Sequence, residues 1–199
     1  MEQTLFPNKK YQIILADPPW NFNFQKRKGL SDKAKSRLYP TMRDEDIIAL
    51  PVDKITDDNC VLFLWVMSSK LYLAFNVMFA WGFAYKTVAF TWVKTTINGK
   101  YCFGGGNWTR SNPELCLLAT KGKPKRLSAS VRELIVSERR QHSRKPDEAR
   151  NRIVQLMGDL PRIELFAREK TEGWDAIGFD IDGKDIKESL KLLAQNKSL

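Results

Sequence analysis

YQIILADPPW, residues 11–20, is the stretch on which the reading of this chain turns. YQIILA is short, apolar and rich in branched side chains, as a buried strand requires. The run then stops at Asp17, Pro18, Pro19 and Trp20. Proline ends strands and aspartate suits turns, so the four residues would serve as plain punctuation. Two features argue for more. In open α/β sheets ligands sit beyond the carboxyl ends of strands, which is where this stretch falls. It also gathers a carboxylate and an aromatic ring, a poor choice for a simple turn.

Outward from this strand, the pattern alternates. CVLFLWV (60–66) reads as a second buried strand, and SKLYLAFNVMFAWG (69–82) as a helix apolar on most sides, packed on the sheet. FAYKTVAFTWVK (83–94), PELCLLAT (113–120), ELIVS (133–137) and RIELFA (162–167) read as further strands. KPDEARNRIVQLMG (145–158) is a helix with Pro146 in its first turn and Gly158 past its end. KDIKESLKLLAQN (184–196) is an amphipathic helix, and Thr41 and Asp44 fit a helix N-cap ahead of DEDIIAL. Residues 21–40 and the glycine-rich 97–112 read as loops. Strands alternating with helices predict an α/β fold, a mainly parallel sheet with helices on both faces. One domain over residues 1–199 is expected.

The longest apolar run, VLFLWVM (61–67), is too short to span a bilayer, and MEQTLFPNKK lacks the apolar centre of a signal peptide. A soluble protein of the cytoplasm is expected, in a bacterial or phage-infected cell, with no membrane partner. Three scattered cysteines (Cys60, Cys102, Cys116) and one histidine, His142, form no CxxC or HxxxH pair, so no metal site is expected. The single histidine also argues against Ser-His-Asp or Cys-His hydrolysis. The net charge is +10, concentrated in two stretches. Residues 21–40 hold six Lys/Arg, among them Lys26, Arg27 and Lys28, against one Asp. Residues 121–145 hold nine, including Arg139 and Arg140, against two Glu. Clustered positive charge suits a polyanion such as nucleic acid, and equally suits solvated loops that keep the chain soluble.

The chemistry that suits DPPW is methylation of an exocyclic amine. An adenine amino group is a weak nucleophile, because its lone pair is delocalised into the ring. Asp17 and the Pro18 carbonyl would accept its two N–H groups and favour a tetrahedral nitrogen. Pro18 and Pro19 stiffen the turn that holds this carbonyl. Trp20 would form a wall against a flipped base.

The chain resembles the DPPW-type N6-adenine methyltransferases, the family of the catalytic subunit of the mRNA N6-adenosine methyltransferase and of many bacterial and phage DNA enzymes. The blocks in order are ADPPW (16–20), YPTM (39–42), LFLWV (62–66), WVKT (92–95), NPELCLLATKG (112–122), SRKPDE (143–148), RIELFAR (162–168) and GWDAIG (173–178). The resemblance implies a Rossmann-like fold, with the catalytic motif ahead of part of the cofactor site. It implies S-adenosylmethionine as methyl donor, with no metal. Asp17 to Trp20 would form the catalytic pocket, with Tyr39 framing the adenine. Asp17 would also touch the cofactor amine. Ser143 and Lys145 would lie on a gating loop, with Lys145 near the methionine carboxylate. Leu165, Phe166, Arg168, Lys170 and Thr171 would contact the nucleoside. Where the family has a ribose-binding asparagine, this chain has Phe179 and then Asp180, and Asp180 would take over that contact. The compact chain, without the zinc fingers of RNA-type relatives, favours DNA. An RNA methyltransferase and a catalytically silent nucleic-acid-binding subunit stay open as alternatives. The family and the 97–112 loop suggest a homodimer.

Overall fold

The computed structural model describes residues 9–21, 41–104, 108–140 and 144–195. In chain order these hold β1 (Tyr11–Ala16), α1 (Asp44–Ile48), β2 (Thr56–Val66), α2 (Leu71–Ala80), β3 (Ala84–Thr95), β4 (Glu114–Lys121) and β5 (Leu134–Glu138). There follow α3 (Asp147–Met157), β6 (Arg162–Leu165), β7 (Asp175–Ile177), α4 (Phe179–Asp182) and α5 (Ile186–Gln195). The strands form one sheet in the order β5-β3-β4-β2-β1-β6-β7. β1 is parallel to β2 and β6, β7 to β6, and β5 to β3, while β4 runs antiparallel to both β2 and β3.

Alternate residues of the central strands feed two cores, as the period of a strand dictates. Ile14, Leu62, Leu64, Leu117 and Ile163 pack on one face with Ala74, Val77 and Met78 of α2. Ile13, Leu15, Phe63, Trp65, Phe90 and Trp92 pack on the other with Ala149, Ile153 and Met157 of α3. β1 is buried at five of its six positions, which explains its apolar sequence. The expected mainly parallel sheet with a core on each face is what the chain forms.

Several boundaries differ from the expectation. β2 begins at Thr56, four residues early, because polar Asp57, Asp58 and Asn59 carry no apolar signal. The N-cap of α1 is Arg43, with no side-chain cap bond; the Arg43 guanidinium instead pairs with Asp46. α2 presents only part of its apolar surface to the core, leaving Tyr72 and Phe79 exposed. β7 was not anticipated, since three residues inside GWDAIG are too few to display a period. No described helix is long and apolar enough to cross a membrane.

Candidate active site

The parallel strands align their carboxyl ends along one edge of the sheet. Ala16 of β1 is in register with Leu64 of β2 and Leu165 of β6, and Leu165 with Ile177 of β7. Asp17 follows β1 at that edge. Because β4 is reversed, it contributes its first residue there, Glu114. The connection from β5 to α3 delivers Lys145 to the same edge, two residues before the helix begins.

Lys145 Nζ donates to Asp17 Oδ2 at 2.7 Å and lies 3.1 Å from Glu114 Oε2. The other Glu114 oxygen accepts from Lys94 Nζ. Lys145 Nζ also sits 5.7 Å from the centre of the Trp65 ring, and Lys94 Nζ 5.3 Å from that of Trp92. The two indoles meet edge to face at 6.5 Å. Burial raises the Asp17 carboxyl above the ordinary aspartate range, against the opposing pull of Lys145. Burial would discharge Lys145, yet Asp17 and Glu114 together hold its ammonium above the ordinary lysine value. At Glu114 burial raises the carboxyl, but Lys145 and Lys94 outweigh it and lower the result.

The turn after β1 is short and closed. Trp20 N–H donates to the Pro18 carbonyl at 2.8 Å, and Met42 N–H to that of Pro19 at 2.9 Å. Trp20 is 3% exposed, packed in the core, and its indole N–H donates to the Trp65 carbonyl at 2.9 Å. The ring fastens the turn to the end of β2, where its large apolar surface and single donor are both satisfied.

At the end of β6, Leu165 is buried and Phe166 adopts φ 62°, a left-handed conformation unusual for a residue with a side chain. The backbone turns there and returns as β7, whose exit at Gly178 approaches so closely that a Cβ would lie 2.4 Å from the Ala167 carbonyl oxygen. Arg168, Lys170 and Thr171 lie on the connection from β6 to β7, with Arg168 near enough to lower the Asp17 carboxyl. Asp180 is exposed in the first turn of α4. Tyr39, Ser143 and the Lys26, Arg27, Lys28 run fall outside the described residues.

The second basic stretch, 121–145, does not lie along a single edge of the sheet. β4 runs toward the opposite edge, where its Cys60–Lys121 pairing lies, so Lys121, Lys123, Lys125 and Arg126 emerge far from the carboxyl ends. Lys123 and Lys125 there line a cavity of about 300 Å³ with Gln12 and Leu160. Only after β5 has run back does the stretch return, with Arg139 and Arg140 exposed beyond its carboxyl end. Arg140 pairs there with Asp147 at 2.7 Å.

The sequence reading missed Lys94, Glu114 and Trp65 as site residues. A signal existed: each charged residue sits near the end of a strand, beside its apolar run, and all three residues fall within the blocks LFLWV, WVKT and NPELCLLATKG. What was not legible was the direction of β4, which alone brings Glu114 to Lys145. Among the described residues, no three His, Cys, Asp or Glu are grouped to hold a metal ion.

A mostly parallel sheet, with a carboxylate, a cation and a strained turn on its carboxyl edge, is the arrangement of a Rossmann-like α/β methyltransferase. The MT-A70 family profile matches residues 11–180, and the chain belongs to that family. It is 35% identical over 197 residues to the type II methyltransferase M.MunI of a Mycoplasma species, covering 91% of this chain and 82% of that one. It is 31% identical to the N(6)-adenosine-methyltransferase MT-A70-like protein of Drosophila melanogaster, over 87% of this chain and 27% of the relative. To the human N(6)-adenosine-methyltransferase catalytic subunit METTL3 it is 30% identical, over 87% of this chain and 29% of the relative. The chain therefore spans less than a third of those two longer relatives.

Proposed function

We propose that this chain, as one methyltransferase domain of the cytoplasm, transfers a methyl group from S-adenosylmethionine to the N6 amine of adenine in DNA. The observation that carries the reading is Asp17: a carboxylate at the carboxyl end of β1, set on a Pro-Pro turn and facing the Lys145 ammonium at 2.7 Å. The names of the longer relatives support adenine N6 as the acceptor, and the higher identity to the type II methyltransferase favours DNA over RNA.

The residues present fit the donor. A carboxylate and an ammonium side by side, both largely buried, complement a zwitterionic amino-acid end. Lys145 would hold the carboxylate and Asp17 the amine of that end. Leu165, Phe166, Arg168, Lys170, Thr171 and Asp180 would line the nucleoside, with Ser143 beside Lys145. S-adenosylmethionine, when bound, supplies a methyl group on a sulfonium, which leaves as a neutral thioether.

The chain's own residues make the amine reactive. Asp17 and the Pro18 carbonyl accept the two N–H groups of adenine, and the nitrogen lone pair is freed from the ring. The Pro18 oxygen already accepts the Trp20 N–H, and its second lone pair serves the amine. As the new N–C bond forms, the nitrogen carries a surplus proton. A carboxyl raised by burial, such as Asp17, is suited to take it. Positioning and electrostatics carry the reaction. Tyr39 would frame the adenine, and Arg139, Arg140, Lys26, Arg27 and Lys28 would meet the flanking phosphates. A homodimer through the 97–112 loop, where Tyr101, Phe103 and Trp108 are exposed, belongs to the same reading.

The test is tritiated-methyl incorporation into single-stranded DNA, duplex DNA and RNA, with mapping of the modified base. Asp17→Ala is expected to remove at least about 3 kcal/mol of transition-state stabilisation, roughly a hundredfold or more in rate, with an unchanged circular dichroism spectrum. Near-normal turnover in this variant would return DPPW to plain punctuation.

A further inference from the structure

Lys94, Glu114, Lys145 and Asp17 form a run of alternating charges across four separate segments: the end of β3, the start of β4, the approach to α3 and the exit of β1. The run is firmly held at its far end. The Asn112 side-chain amide accepts from the Lys94 backbone N–H at 2.9 Å and donates to its carbonyl at 2.9 Å. The Trp65 and Trp92 rings back the two ammoniums. Nothing in the methylation chemistry above uses Lys94, Glu114 or Asn112.

The arrangement resolves a conflict at Asp17. The ammonium bonds Oδ2 in the structure, and one that closed over both oxygens would occupy the acceptor that the amine needs. The same ammonium, buried without a counter-charge, would lose its proton. Glu114 offers Lys145 a second station, 3.1 Å away. Lys94 holds the other Glu114 oxygen and so keeps Glu114 from capturing Lys145 outright.

We propose that Glu114, backed by Lys94, is a positioning residue that draws the Lys145 ammonium partly off Asp17, leaving Asp17 an oxygen for the substrate amine. The inference rests on the amine-binding role of Asp17 proposed above. The groups that face Asp17 are Lys145 from the approach to α3, Glu114 and the buried Cys116 thiol from β4, Glu164 from β6 and Arg168 beyond β6. Of these, Glu114 raises the Asp17 carboxyl and Lys145 lowers it. Removing the Glu114 charge takes away the negative neighbour that competes with Asp17 for Lys145, so Asp17 must titrate at lower pH. Removing the Lys94 charge frees Glu114 to take Lys145, so Asp17 must titrate at higher pH.

The experiment is a carboxyl-carbon NMR titration of Asp17 in the full chain, without nucleic acid or cofactor, for the parent, Glu114→Gln and Lys94→Gln. Shifts of opposite sign are expected, each about half a pH unit or more. Glu114→Gln should also lower kcat for methyl transfer by about tenfold or more, with KM for DNA within about threefold, and Glu114→Asp should recover part of the loss. An Asp17 midpoint that stays put, or moves the same way in both variants, overturns the proposal. So does an unchanged kcat in Glu114→Gln. The titration needs no turnover, so a parent chain that methylates no nucleic acid defeats the functional reading while the charge run is still judged on its own.

Discussion

Lys145 is a cation that burial alone would discharge, and its two carboxylate neighbours decide otherwise. Its raised value means that the stability from this charge is in full force below the ordinary lysine value of 10.5. That stability is lost only as pH rises through the higher folded value. The same charge is the group proposed to hold the donor's carboxylate. Lys145→Ala is therefore expected to weaken S-adenosylmethionine binding by roughly 1–3 kcal/mol, read by calorimetry on the isolated chain. An unchanged affinity would place Lys145 outside the cofactor site. The residue itself was singled out from the SRKPDE block. Its bond to Asp17 was not, because the two are 128 positions apart and only the fold brings them together.

At the scale of elements, α3 is fastened to β6 by one buried pair. Arg150 Nε donates to Glu164 Oε2 at 2.7 Å and a second guanidinium nitrogen to Oε1 at 2.9 Å. Burial raises the Glu164 carboxyl in spite of Arg150, so this acid depends on its partner to stay charged. Arg150→Met should cost about 3–5 kcal/mol, because it leaves a buried charge without compensation. Adding Glu164→Leu to that variant should restore most of the loss, since an apolar pair of similar volume avoids the desolvation cost. Urea denaturation of the two variants checks both statements. A single variant within about 1 kcal/mol of the parent would mean that the pair is solvated. The helix was legible from its Pro146 and Gly158 boundaries. The pair was not, since a strand glutamate and a helix arginine announce no partner in sequence.

Over the whole molecule, the two edges of the sheet carry different basic residues. Arg139 and Arg140 stand at the carboxyl edge with Asp17, while Lys123 and Lys125 stand at the other. Replacing Arg139 and Arg140 with alanine should lower nucleic-acid affinity and flatten the slope of log affinity against log salt by up to about two units. Replacing Lys123 and Lys125 should leave both nearly unchanged. Filter binding across a salt series separates the two pairs. Equal losses from both would mean that the polyanion is not confined to the carboxyl edge.

The sequence by itself determined the strand ending in Asp17, the α/β alternation, the mainly parallel sheet and the blocks of the MT-A70 family. Those are local signals: apolar runs with the period of their element, and turn residues at their ends. Only the tertiary structure decided that β4 is reversed, and three findings follow from that one strand. Glu114 reaches Lys145, the second basic stretch divides between opposite edges, and Lys94 gains its carboxylate partner. Strand direction has no local signature. The same buried apolar run fits a sheet either way, and long-range pairing with β2 and β3 makes the choice.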